Sequence, residues 1–162
     1  MGDEHDALAA QVGAANRAFY RAFADGDLSA MEAVWSHGAH VRCVHPGWPM
    51  LEGWERVRAS WARILAGPDG NLGIIVGDVQ VRATGDVAWV ACVERLSASD
   101  LDTAMIATNV FERDGAGVWH MVQHHASPIL SHDAARATHD DEIQDDDVHD
   151  DHEEVDGGDD VN

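Results

Sequence analysis

Apolar side chains recur at helical spacing from the start of the chain. Leu8, Val12, Ala15, Phe19 and Phe23 mark one face, which predicts an amphipathic helix over about 6–24. Asp25-Gly26-Asp27 stops it, with Gly26 suited to the left-handed position that follows a helix. Ser29-Ala30-Met31-Glu32 reads as a capping box, opening a short second helix that turns Met31, Val34 and Trp35 inward. Val41, Cys43 and His45 then alternate with His40, Arg42 and Val44, a strand ended by Pro46-Gly47. Trp54, Val57, Trp61, Ile64 and Leu65 mark a third helix, closed by Gly67-Pro68. Runs rich in Val, Ile, Thr and Trp predict strands over about 72–82, 87–97, 103–113 and 118–127. Thr84-Gly85-Asp86, Ser97-Ala98-Ser99-Asp100 and Asp114-Gly115-Ala116-Gly117 divide them. Connections this short make the neighbours antiparallel hairpins. The order α-α-β-α-β-β-β-β is an α+β arrangement, with helices covering one face of a curved, mostly antiparallel sheet.

Composition adds a boundary. The chain has 162 residues, which fits one domain over 1–130 with a tail over 131–162. From His132 onward there are fourteen acids and one arginine, a charge of −13 out of a total of −20. Ile143, Val148, Val155 and Val161 are the large apolar residues there and follow no period. Such a segment buries too little surface to offset chain entropy, so a disordered, Asp/His-rich acidic tail is expected. His132, His139, His149 and His152 lie among its aspartates at spacings that match neither a zinc site nor a calcium loop.

The charge also restricts partners. A polyanion is repelled by phosphate backbones and anionic lipid, so neither nucleic acid nor a membrane is expected to bind. No apolar run approaches the ~20 residues of a membrane span, and Met1-Gly2-Asp3-Glu4-His5-Asp6 lacks the features of a secretory leader. Cys43 and Cys92 sit in apolar stretches, which suits reduced thiols in a cytoplasmic protein. All ten basic residues are arginine. Excess acid without lysine is similar to the composition of halophile proteins, whose self-repulsion is screened at molar salt.

Several stretches carry a family resemblance. Phe19-Tyr20-Arg21-Ala22-Phe23-Ala24-Asp25-Gly26-Asp27-Leu28 followed by Trp35 resembles the opening of the NTF2-like superfamily. His45-Pro46-Gly47-Trp48-Pro49, then Glu52-Gly53-Trp54, resembles its SnoaL-like branch, as do Asn109-Val110-Phe111-Glu112-Arg113 and the closing run from Gly117 to Ser127. The resemblance covers about 7–128. It implies a cone, a bent sheet wrapped around a long helix with a pocket at the open end, often dimeric. Its members include isomerases, cyclases, dehydratases and proteins without catalysis, so the site must decide the function.

The steroid-isomerase branch uses a carboxylate base with a Tyr and a protonated Asp as donors. Local alignment to it places the base at His45, the Tyr at Phe19 and the Asp at Asn109, so one donor is lost and the other becomes an amide. Tyr20, the single tyrosine, is adjacent but turned ~100° around the helix. That constellation does not support steroid isomerisation here.

His45 is the foremost proton-transfer candidate, since imidazole titrates near neutrality. Glu94 shares the face of Ala88, Val90 and Cys92 in an apolar strand. If that face is internal, the carboxylate must be paired, protonated or catalytic, and a histidine partner would make a dyad. His124 and His125 are consecutive on the last strand and point to opposite faces. Trp119 and Met121 alternate in step with His125, which favours His125 as the inward, catalytic one, with His124 retained as a ligand-binding candidate. Phe19, Tyr20, Trp48, Trp61 and Asn109 complete the expected ligand-binding set. Trp48 would wall the mouth from its Gly/Pro loop; Trp61 would face either the cavity or the core. Two imidazoles and a carboxylate could hold a metal, but no spacing demands one, and neither metal nor other cofactor is expected. An indole-lined pocket suits a flat, ring-bearing ligand. The sequence thus leaves a lyase, isomerase or cyclase using histidine-based proton transfer beside a non-catalytic ligand-binding or dimerisation domain. A homodimer through an uncovered sheet face is expected in either case.

Overall fold

The computed structural model describes residues 2–67, 73–96 and 103–129. The expected acidic tail and the turn at 97–100 lie outside them. Two helices, α1 (Gly2–Ala24) and α2 (Leu28–Val34), precede strands β1 (Arg42–Val44) and β2 (Leu51–Glu52). Helix α3 (Trp54–Ala66) follows, then β3 (Ile74–Thr84), β4 (Val87–Leu96), β5 (Thr103–Arg113) and β6 (Trp119–Pro128). The apolar periodicity accounts for all of these except β2, whose two residues are too few to show alternation. Among the described residues no helix is long and apolar enough to cross a membrane.

The local signals act as their chemistry requires, with one correction. Gly26 takes φ 63° after α1. The cap of α2 is Asp27 rather than the expected Ser29: its carboxylate accepts the Ala30 N–H at 3.0 Å, satisfying a donor in the first turn. Gly53 enters α3 at φ 82° while its N–H bonds the Val41 carbonyl at 2.9 Å, tying the start of that helix to β1.

The strands form one mixed sheet in the order β2-β1-β6-β5-β4-β3. Strands β3 to β6 pair antiparallel in succession, and β1 joins β6 in parallel, with Cys43 opposite His124 and Val44 opposite His125. Helix α1 packs on the inner face against β3, β4 and β6. Phe19, Met31, Trp35, Phe111 and Met121 are fully buried there, each contributing ~1.5–3 kcal/mol by leaving water. Trp54 and Trp119 join them, as their periodic positions predict.

One irregularity positions the site. Opposite consecutive residues Val110 and Phe111 of β5 stand Gln123 and Met121 of β6, so Val122 is an extra residue in the ladder. The bulge lies where Trp35 bridges to Met121 and the Ser36 N–H bonds the Met121 carbonyl at 2.9 Å. It resets the alternation of the strand. Trp119 and Met121 face inward before it, while His124 and Ala126 face inward after it and His125 is exposed. The expected inward position of His125 is therefore corrected.

Candidate active site

Positions 16, 19, 20 and 23 follow the i, i+3, i+4, i+7 pattern of one helix face, and they bring Asn16, Phe19, Tyr20 and Phe23 of α1 toward the sheet. His45 follows the end of β1, Trp61 and Ile64 come from α3, Glu94 from β4, and His124 and Ala126 from β6. Phe19, Tyr20, Phe23 and all of these except Asn16 line a cavity of about 360 Å³, with Trp48 among the remaining lining residues. The walls are chiefly ring faces. Trp61 stands edge-on to Phe19, Phe23 and His45 at centroid distances of 5.4, 5.8 and 4.8 Å. Trp48 meets His45 edge-on at 4.9 Å, and the Arg63 guanidinium lies 4.3 Å over the Trp48 ring.

The polar groups form two chains whose proton positions can be deduced. Ser60 Oγ donates its one proton to the Val57 carbonyl at 2.7 Å, so it accepts from His45 Nε2 at 2.9 Å. His45 therefore carries its proton on Nε2, and among the described residues its Nδ1 has only a long contact, 3.9 Å, with Cys43 Sγ. In the second chain Tyr20 donates to Glu94 Oε1 at 2.7 Å and accepts from Asn109 Nδ2 at 3.1 Å. The same amide nitrogen donates to Asn16 Oδ1 at 2.8 Å. Asn109 Oδ1 is left to accept from His124 Nδ1, at 2.7 Å. His124 thus presents a bare Nε2, for which the described residues offer no hydrogen-bond partner.

All of these groups are at least nine-tenths buried, and burial governs their titration. Desolvation lowers His45 to a pKa of about 4, helped by the positive charge of Arg63. Desolvation, then the neighbouring His45 and His125, lowers His124 to about 3. Both imidazoles are neutral at pH 7. Desolvation raises Glu94, with the Tyr20 hydrogen bond acting the other way, and Tyr20 is pushed up by burial and by Glu94.

Among the sequence candidates, the cavity brings together His45, Glu94, Phe19, Tyr20, Trp48, Trp61 and His124. Asn109, expected against the ligand, lies fully buried behind His124. His125 is on the outer face, opposite Thr108 and Val44. The anticipated Glu94–histidine dyad is replaced by a path through Tyr20 and Asn109. Asn16 and Ser60 were not foreseen, although each is a polar residue set in a buried helical stripe, the one between Val12 and Phe19, the other between Val57 and Trp61. Among the described residues no group of three or more His, Cys, Asp or Glu side chains is placed to hold a metal ion.

Comparison with known proteins agrees with this architecture. A family model described as a SnoaL-like domain matches residues 12–131. A solved structure from Streptomyces avermitilis, assigned by name to dehydratases of the NTF2-like family, is 38% identical. It covers 78% of this chain and 99% of its own, with a TM-score of 0.70. Another, from Thiobacillus denitrificans and assigned by name as a calcium/calmodulin-dependent protein kinase type II association domain, is 35% identical. It covers 73% of this chain and 94% of its own, with a TM-score of 0.66. The F-box protein SKIP8 of Arabidopsis thaliana is 30% identical over 136 residues, 84% of this chain and 57% of that protein. The chain thus spans little more than half the length of that curated relative.

Proposed function

We propose that this chain, which belongs to the SnoaL-like domain family, binds a flat, ring-bearing small molecule and moves protons on it, as a lyase, isomerase or cyclase does. The observation that carries this reading is the opening of His45, His124 and Glu94 into one cavity, with the two imidazole centroids 6.4 Å apart. Two neutral bases beside a carboxyl whose proton affinity is raised form an acid/base set with its pKa values pushed apart.

In this reading His124 Nε2 takes a proton from the ligand. The charge that develops on the ring is shared with Asn109 Oδ1 through Nδ1–H, as in other orienter–base pairs. When it holds a proton, Glu94 donates it from the oxygen that Tyr20 does not engage, and His45 Nδ1 offers a second acceptor. Bases this weak work on acidified C–H bonds, such as those next to a carbonyl. Elimination, double-bond migration and ring closure each use one base and one acid on the same substrate.

The test begins with native purification and mass spectrometry of any co-purified ligand. That ligand is then incubated in deuterated water with the unaltered protein and with a His45→Gln/His124→Gln variant. Deuterium entering the ligand with the unaltered protein alone supports the reading; equal exchange in both sinks it.

A second reading, as an association domain, draws on the outer sheet face and on the name of the Thiobacillus structure. Ile75, Val87, Trp89 and Ile106 share that face and are exposed, an apolar patch suited to a second copy of the chain. A homodimer and a pocket enzyme are compatible. Two free, buried thiols, Cys43 and Cys92, support a reducing, cytoplasmic setting.

A further inference from the structure

The hydrogen-bond bookkeeping of the cavity floor restricts what can sit on it. Tyr20 gives its proton to Glu94, His45 Nε2–H goes to Ser60, and His124 Nδ1–H goes to Asn109. What faces the cavity from the imidazoles is therefore lone pairs. Among the described residues the indole N–H of Trp61 has no partner, and it is sealed within the wall. Trp48 is half-buried, and its ring is engaged by His45 and Arg63. Glu94 adds lone pairs when ionised and a single proton when neutral, so in either state acceptors outnumber donors. An anionic ligand group placed here meets two bare nitrogens and a carboxyl, without the preorganised donors that stabilise an oxyanion. A cation is opposed at the entrance by Arg63, whose guanidinium already covers the Trp48 ring.

We propose that the ligand is a neutral hydroxyl compound of the phenol class, lying against the aromatic wall that Phe19, Phe23 and Trp61 form together and donating its O–H to His124 Nε2. This rests on the pocket reading above and adds the polarity of the ligand to it: the proton that His124 Nε2 engages is the hydroxyl's, and His45 Nδ1 is the acceptor left toward carbon. The acceptor is available because the imidazole is held in one tautomer by Asn109. Desolvation keeps it uncharged at neutral pH, so its lone pair is not consumed by a proton. A phenolic O–H is a stronger donor than an aliphatic one, and its ring suits the edge-on aromatic walls.

Four bicyclic probes of similar shape separate the alternatives by calorimetric titration into the full-length protein at pH 7. They are 2-naphthol, 2-methoxynaphthalene, 2-naphthoate and 2-naphthylmethylammonium. The expected result is 2-naphthol binding about tenfold tighter than its methyl ether, the factor for one net hydrogen bond, with both ions weaker still. A His124→Phe variant should abolish the difference between 2-naphthol and its ether, both measured in that variant. In the unaltered protein, the ¹⁵N resonance of His124 Nε2 should move with 2-naphthol and not with the ether, a readout that does not depend on the variant folding. Equal affinity for naphthol and ether, or tighter binding of either ion, overturns the polarity assignment and leaves the pocket reading standing. Failure of all four probes to bind overturns the pocket reading and the inference with it.

Discussion

His124 Nδ1 lies 2.7 Å from Asn109 Oδ1, and this pairing decides which nitrogen of the imidazole is left for the cavity. The amide cannot serve His124 with its other end, because Asn109 Nδ2 is committed to Asn16 and Tyr20. One side chain that never reaches the cavity thus holds both the base and, through Tyr20, the carboxyl of Glu94.

Replacing Asn109 with leucine should release that arrangement. Asn16, Tyr20 and His124 would each lose a partner while buried, and unfolding stability should fall by about 3 kcal/mol, a typical cost for stranding buried polar groups. Denaturant melts measure the loss, and ¹⁵N shifts should show His124 no longer confined to its Nδ1–H form. An unaltered tautomer would contradict the assigned role.

Stability should depend on pH in two opposite ways. His45 and His124 have folded-state pKa values of about 4 and about 3, below the ordinary 6.5. Below pH 6.5 the unfolded chain binds protons that the folded chain refuses. Their contribution is complete above pH 6.5 and is lost as pH falls toward 4 and then 3. For His45 alone this is on the order of 3 kcal/mol. Glu94 is raised instead, so its contribution is present below its ordinary pKa of about 4.5 and is lost as pH rises through its folded value. Thermal midpoints between pH 4 and 8 should fall on the acid side. A Glu94→Gln variant should lack the alkaline-side term and keep the acid-side loss; a flat profile between pH 6.5 and 4 would refute the histidine assignment.

Added salt should stabilise the protein. The chain carries −20 with no lysine, and raising ionic strength from 0.1 M to 1 M shortens the screening length from about 10 Å to about 3 Å. Thermal midpoints in potassium chloride should climb over that range. A decline would remove the case for a halophile-like surface.

Trp89 is 44% exposed on the outer face, and its replacement by glutamate should convert a dimer to a monomer by light scattering while leaving the circular dichroism spectrum unchanged. A unaltered protein that scatters as a monomer would eliminate the second-copy proposal.

The helices and long strands were legible because each buries a stripe or an alternating face along its whole length. His45 and Glu94 were legible for the same reason, as polar residues in step with Val41 and Cys43 or with Val90 and Cys92. Asn16 and Ser60 carry the same mark on helices but, lacking charge, do not stand out from the small polar residues a helix tolerates. Tyr20 is turned ~100° from Phe19, yet the helix face is broad enough to bury both rings, 4.9 Å apart. The exchange of His125 for His124 had no local signature. Alternation is a rule about counting, and Val122 breaks the count through a contact with Trp35 and Ser36, far away in the chain.

That extra residue in β6 also makes the pocket editable at a single position. Straightening the ladder at Val122, with the residue kept, would shift the remainder of the strand by one place, presenting His125 to the interior and moving His124 outward, with no change in the amino acids available. Two neighbouring imidazoles on such a strand are interchangeable parts. A lineage could swap them by one substitution that frees the bulge from its contacts with Trp35 and Ser36, acquiring a base without the Asn109 brace and hence a different proton affinity within an otherwise familiar scaffold.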